Sequence, residues 1–310
     1  MGAPVVVLAE PLCNQHAPAT AAVTRLQGVM AHGRFVAYQP TSLQVIDGRP
    51  TQANPGSIRA DLTVLRPRFD ALITYGAAHG AEAIPAIAAS LHYRALIIGV
   101  WNPFDAAELS AASTAANQFP KLVVGLSLGN ETIFNKQHSF AELAEVMAKI
   151  RARMPKLALS TTEPFHMFYQ SESAPLFEQM DFLLANVHPV FQSWFRDVSD
   201  DVAAQFVVNV TTKLATAYCG PILVKETGVP TAPTSEGYTS KRQASFYQAL
   251  SRAFPVSGTR AFAYFSAFDA PWRLADSKNQ AAAEAHWGLY DEHRQPKPVI
   301  KTLEKLSAVQ

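Results

Sequence analysis

A chain of 310 residues, 48% apolar and 16% charged, has material for one large core, and its 26 Lys and Arg nearly balance 25 Asp and Glu. A net charge of +1 excludes capture of a polyanion by bulk charge, and no basic stripe interleaved with aromatics marks a nucleic-acid binder. The apolar runs, such as 95–101, fall short of the roughly 18 residues that a membrane span requires.

In chain order, the first ten residues carry a short apolar run, Val5 to Leu8, but no charged leader, so the chain is expected to contain no export signal. Residues 1–32 read as an N-terminal extension that packs on the main body of the domain. Apolar, β-rich runs then recur at 34–38, 71–75, 95–100, 122–128, 157–161, 182–188, 222–226 and 261–266. Segments with helical periodicity separate them, at 58–65, 82–91, 105–117, 140–153, 174–179, 200–217 and 240–253. Ser139 and Glu142 form a Ser-x-x-Glu capping box ahead of Leu143, Val146, Met147 and Ile150. Continuously apolar strands alternating with helices predict a parallel sheet, and eight such units predict a (β/α)8 TIM barrel spanning residues 1–310 as a single domain. The competing doubly wound sheet opens with a Gly-rich phosphate loop, whereas here the first strand runs into Gln39-Pro40-Thr41.

In a barrel of this kind the chemistry sits at the carboxyl ends of the strands. Those ends carry Tyr38, Tyr75, Trp101, Asn130 with Glu131, Glu163 with Phe165, His188 with Phe191 and Trp194, Glu226, and Phe268 with Trp272. Carboxylates recur among them, and so do large rings. Two carboxylates facing one another across a barrel mouth are what glycosidic cleavage needs, because one protonates the leaving oxygen while the other attacks or activates water. Glu131 and Glu226 form the candidate catalytic pair, each directly after an apolar run that would fix its carboxyl on a rigid element. Glu163 is a possible third cleft carboxylate or a plain loop residue. His188 is either a wall residue or a donor to sugar or to Glu226. The rings of Trp101, Phe191, Trp194 and Trp272 offer flat apolar faces for a sugar, and Arg273 a subsite wall.

Nine histidines form no His-x-His or His-Glu-x-x-His pattern, so neither a metal nor another cofactor is expected. Cys13 and Cys219 are too few for a disulfide framework, lack metal-ligand spacing and read as incidental. Asn130 and Asn209 each begin a glycosylation sequon; a glycan on Asn130 would block the proposed site, so that one reads as coincidental.

Leu128-Gly129-Asn130-Glu131 and the run Val-Lys-Glu-Thr-Gly-Val-Pro at 224–230 resemble glycoside hydrolase family 17, the β-1,3-glucanases and β-1,3-glucan transglycosylases. Ile73-Thr74-Tyr75-Gly76, Ile98-Gly99-Val100-Trp101, Asn186-Val187-His188-Pro189, Phe268-Asp269-Ala270-Pro271-Trp272-Arg273 and His286-Trp287-Gly288-Leu289-Tyr290-Asp291 extend the resemblance to nearly the whole chain. It implies a retaining enzyme with Glu131 as acid/base and Glu226 as nucleophile, Asn130 on the sugar 2-hydroxyl and Tyr75 orienting the nucleophile. Tyr38, Trp101, Glu163, His188, Phe191, Trp194, Phe268, Trp272 and Arg273 complete the expected substrate site. The implied partner is a β-glucan, met by a monomer outside the cytoplasm: periplasmic, secreted or membrane-anchored. A noncatalytic glucan-binding barrel is the alternative, and a metal-dependent barrel hydrolase a more distant one. Val229, Val190 and Ala270 depart from residues common in the family, which commonly has Trp at the first, an aromatic at the second and, in bacterial members, Glu at the third.

Overall fold

A computed structural model describes residues 11–14, 16, 19–276 and 281–306. Ten strands are present among them: β1 (Phe35–Ala37), β2 (Val45–Ile46), β3 (Arg49–Pro50), β4 (Ala71–Ile73), β5 (Ala95–Val100), β6 (Val123–Asn130), β7 (Leu159–Pro164), β8 (Leu183–Asn186), β9 (Ile222–Glu226) and β10 (Arg260–Tyr264). Eight of them close a barrel in the order β1-β10-β9-β8-β7-β6-β5-β4, with every pairing parallel. This is the (β/α)8 barrel that the strand count predicts. The other two form an antiparallel hairpin in the loop after β1.

The helices are α1 (Thr20–His32), α2 (Pro55–Leu65), α3 (Ile84–Ser90), α4 (Ala106–Gln118), α5 (Phe140–Arg153), α6 (Ala174–Phe177), α7 (Asp200–Ala217), α8 (Ser240–Ala253), α9 (Arg273–Asp276) and α10 (Pro298–Thr302). Their starts follow capping chemistry. Asn54 accepts from the Ser57 amide with Pro55 in the first turn of α2, and Asp105 accepts from the Ala107 and Glu108 amides. Ser139 and Glu142 make the reciprocal capping box that the sequence predicts for α5.

The apolar residues divide into two clusters. The larger fills the layer between the strands and the outer helices, as with Leu143, Met147 and Ile150 of α5. The smaller lies inside the barrel, where Ala71, Ile73, Ala95, Ile97, Phe182, Leu184, Ala261 and Ala263 meet Ala22, Leu26, Val29 and Met30 of α1. Helix α1 therefore closes the amino-terminal mouth of the barrel, and only the carboxyl-terminal mouth is left for a ligand. Gly125 is needed here, because a Cβ on it would stand 2.6 Å from the Phe182 ring.

Several boundaries differ from the sequence reading. The fifth barrel strand begins at Leu159 and runs on through Pro164, because residues 155–156 form a turn after α5. The helix expected at 82–91 is a 3-10 turn, Ala81–Ala83, followed by α3. The cysteines are not incidental: Cys13 and Cys219 form a disulfide, with Cα atoms 5.3 Å apart. The backbone brings them together, since Leu12 bridges Tyr218 and the Cys219 amide donates to the Leu12 carbonyl. Nothing in a separation of 206 residues announces that contact.

Candidate active site

Both candidate carboxylates stand where a barrel strand carries one extra residue. Between Ser127 and Asn130, β6 spans three steps while β7 takes two, from Ser160 to Thr162. The extra residue sits by Gly129, whose φ of 82° is left-handed, and Glu131 follows with φ 56°. The Glu131 amide donates to the Thr162 carbonyl at 2.8 Å. On β9, Val224 and Glu226 pair with the consecutive residues Ala185 and Asn186, so Lys225 is the extra one. Bulges of this sort re-aim side chains. Here they bring Asn130, Glu131, Lys225 and Glu226 together at the open mouth.

The carboxylates have different neighbours. Glu226 is 6% exposed. Its Oε1 accepts from the Tyr75 hydroxyl at 3.0 Å and lies 3.3 Å from Lys225 Nζ, while its Oε2 is 3.5 Å from His188 Nε2. Burial alone would raise this carboxyl, but the Lys225 ammonium, His188 and the Tyr75 hydroxyl outweigh it and bring it down to about 2. Glu131 is pushed the other way, by burial first and then by the negative charge of Glu226, against the Asn186 amide, His188 and Lys225. Its Oε1 accepts from Asn186 Nδ2 at 2.8 Å.

The two carboxylates line one cleft of about 730 Å³ at the open mouth. Leu43, Val45 and Pro50 of the hairpin segment wall one side, and Trp101, Trp272, Arg273 and Trp287 border it. Of the other expected site residues, Tyr38, Asn130, Tyr75, His188 and Phe191 line the same cleft. Trp101 and Phe191 are its exposed rings, at 56% and 66%. Arg273 pairs with Glu284 at 3.5 Å, and its guanidinium lies 5.5 Å from the centre of the Trp272 ring. Tyr38, although fully buried, borders the cleft, with its hydroxyl committed to Asp61 at 2.9 Å.

Three expected residues are placed elsewhere. Glu163 is fully buried, and its two oxygens accept from the Ile133 and Phe134 amides at 2.9 and 3.1 Å. It therefore braces the turn that carries Glu131. Burial raises it to about 7 against those hydrogen bonds. Trp194 packs on Phe206, with ring centres 5.2 Å apart, because the chain after β8 turns outward over α7. Phe268 is buried between Tyr38 and Tyr290.

Sequence reasoning missed Asn186, Lys225 and Trp287 as site residues. A polar residue ending an apolar strand was the available signal for Asn186. Lys225 lies two residues past Leu223, which packs inside the barrel, so strand alternation was the available signal that it faces inward. Glu108 was also passed over: it is buried and accepts from the Ala77, Trp101 and Asn102 amides, clamping together the loops that follow β4 and β5. Among the described residues, no group of His, Cys, Asp and Glu is arranged to hold a metal ion.

Comparison with known proteins adds to this geometry. Residues 36–288 match the BtgE/BtgC glycoside hydrolase domain. A glucan 1,3-beta-glucosidase of Arthroderma benhamiae is 26% identical over 256 residues, covering 76% of this chain and 82% of that protein. A probable glucan endo-1,3-beta-glucosidase of Aspergillus niger is 28% identical over 178 residues, covering 50% of this chain and 38% of its own length. Among solved structures, a glycoside hydrolase family 17 beta-1,3-glucanosyltransferase from Rhizomucor miehei superposes with a TM-score of 0.66 at 19% identity, covering 86% of this chain and 96% of that one. An endo-laminarinase from Formosa gives 0.68 at 16% identity, covering 92% and 88%. These structural likenesses carry the fold.

Proposed function

The chain belongs to the BtgE/BtgC glycoside hydrolase domain family, and from that premise we propose that it cleaves β-1,3-glucan with retention of configuration, through a covalent glycosyl-enzyme. The observation that carries this reading is the opposite character of two carboxylates on one cleft: Glu226 held ionised at about 2, Glu131 raised. Glu226 attacks the anomeric carbon while Glu131 gives its proton to the glycosidic oxygen, and the leaving glucan departs with its hydroxyl restored. Glu131, now ionised, then takes a proton from the incoming hydroxyl, which displaces Glu226 and releases the sugar. Asn130 meets the 2-hydroxyl of the reacting sugar.

The substrate class rests on the relatives, named as a glucan 1,3-beta-glucosidase and a beta-1,3-glucanosyltransferase. The cleft chemistry supports it. Trp101 and Phe191 offer exposed faces, and among the described residues Trp287 Nε1 and His188 Nδ1 are buried without a hydrogen-bond partner, both on residues lining the cleft. The Cys13–Cys219 disulfide supports a site of action outside the cytoplasm.

The test is to incubate the protein with a β-1,3-linked gluco-oligosaccharide of one length and follow products by mass spectrometry and by proton NMR of the first-formed anomer. Retention with shorter products supports hydrolysis, and retention with longer products supports transfer to a second glucan. Inversion, or full activity of Glu226→Gln, would remove the assignment.

A further inference from the structure

Lys225 is a buried cation with no part in the proton transfers between Glu131, Glu226 and the sugar. It is 1% exposed and does not line the cleft. Its Nζ stands 2.5 Å from Asn130 Oδ1, 3.3 Å from Glu226 Oε1 and 4.2 Å from the centre of the Tyr75 ring. An ammonium carries donors only. The amide of Asn130 must therefore turn its oxygen to Lys225, which leaves its NH2 group directed elsewhere, and Asn130 lines the cleft. An isolated asparagine presents either end to a ligand; this one has that choice removed by a charge behind it.

We propose that Lys225 is a positioning residue of the active site, which locks the Asn130 amide with its NH2 toward the sugar and fixes the Glu226 carboxylate beside it. The proposal rests on reading Glu226 as nucleophile and Asn130 as the partner of the 2-hydroxyl. It gives a role to the one residue of β9 that lies unpaired between Val224 and Glu226. Leu223 packs inside the barrel and Val224 toward the helices, so regular alternation faces residue 225 inward. The bulge lets Glu226, which alternation would turn toward the helices, reach the mouth beside that cation. Burial of an ammonium is expensive unless it is paired and hydrogen-bonded, and the acceptors that meet this cost are the two groups it positions.

The charged and titratable groups facing the Lys225–Glu226 pair are Glu131 of the β6 turn, Glu163 of β7, His188 after β8, Tyr75 after β4 and, through Tyr75, Arg273 after β10. Lys225 is the largest influence lowering Glu226, against burial, which raises it. Its removal therefore moves Glu226 upward and brings the acid limb of the pH profile into the measurable range.

The experiment uses Lys225→Met, Lys225→Gln and Glu226→Gln in the full chain. The substrates are 4-nitrophenyl β-laminaribioside and the analogue lacking the 2-hydroxyl on the reacting unit. Lys225→Met is expected to lose about 100-fold in kcat with little change in KM. Its acid limb should rise by about one pH unit or more, and its preference for the 2-hydroxyl substrate should shrink about tenfold. Lys225→Gln, neutral but still able to donate to Asn130 Oδ1, should show the same acid-limb rise while keeping more of the 2-hydroxyl preference. A folded Lys225→Met with the wild-type acid limb and the wild-type 2-hydroxyl preference overturns the proposal, whatever its stability. If Lys225→Met does not fold, Lys225→Gln decides: an unmoved acid limb overturns the proposal, and a raised one supports it. Activity in Glu226→Gln would instead overturn the underlying reading of the site, so the two failures are distinct.

Discussion

Asn186 donates its amide hydrogen to Glu131 Oε1 across 2.8 Å, tying the carboxyl that follows β6 to the last residue of β8. In the mechanism proposed above, the bond leaves Oε2 of Glu131 to carry the proton for the glycosidic oxygen. It also opposes the upward push of burial and of Glu226 on Glu131.

Removing it has a predictable sign. In Asn186→Ala, Glu131 loses a donor that favours its ionised form, so its pKa rises further and the basic limb of the activity profile moves to higher pH. The carboxyl also loses its fixed orientation, and kcat is expected to fall by about 10- to 100-fold with a smaller change in KM. Steady-state kinetics between pH 4 and 9 check both. A basic limb that stays still or moves down contradicts the role assigned to Asn186.

Glu163 predicts a stability effect in the opposite part of the scale. Burial raises its folded value to about 7 from an ordinary 4.5. A carboxyl raised on folding contributes stability that is present below the unfolded value and is lost as pH rises through the folded one. Between about pH 4.5 and 7 the wild-type chain should therefore lose, through this group, on the order of 3 kcal/mol that Glu163→Gln does not lose. Denaturant unfolding of both proteins at several pH values gives the difference directly; parallel profiles would dismiss the effect.

Leu26 is fully buried on the barrel-closing face of α1. Its truncation in Leu26→Ala leaves a void at the closed mouth and should cost about 3 kcal/mol. The cleft lies at the other mouth, so activity measured well below the melting transition should persist. Thermal melting beside an activity assay checks both halves.

The disulfide ties the segment ahead of α1 to the residue two past the end of α7. Cys219→Ser should destabilise by about 2–4 kcal/mol and lower Tm by about 5 °C. Reductant should produce the same drop in the wild-type protein and none in the variant. Equal sensitivity of both proteins would mean that reductant acts elsewhere.

The barrel was legible because its strands are apolar on both faces and recur between amphipathic helices, a pattern that local residue types impose. Glu131 and Glu226 were legible for a related reason: each ends such a run. What escaped reading depends on register. Lys225 shares the inward face of Leu223, but no residue type marks the bulge that sets it beside Glu226, and Glu163 ends a strand as expected yet accepts two amides beneath the next loop. Trp194 and Phe268 carry the right chemistry after the right strands but face packing partners, since ring identity does not say which way a loop turns. Cys13 and Cys219 meet across the whole fold, and α1 lacks the punctuation that marks α5.

The closure of the barrel by α1 also orders events during synthesis. The helix leaves the ribosome ahead of the barrel strands, with Leu26 and Met30 on its apolar stripe, yet part of its seat is Ala261 and Ala263 of β10. Strand β1 likewise waits for β10 as one of its two neighbours. Partial barrels leave part of that stripe uncovered, so the nascent chain carries an exposed apolar helix until β10 has been made. A short chain interruption before β10 would therefore yield a product that is sticky at its beginning as well as open at its end.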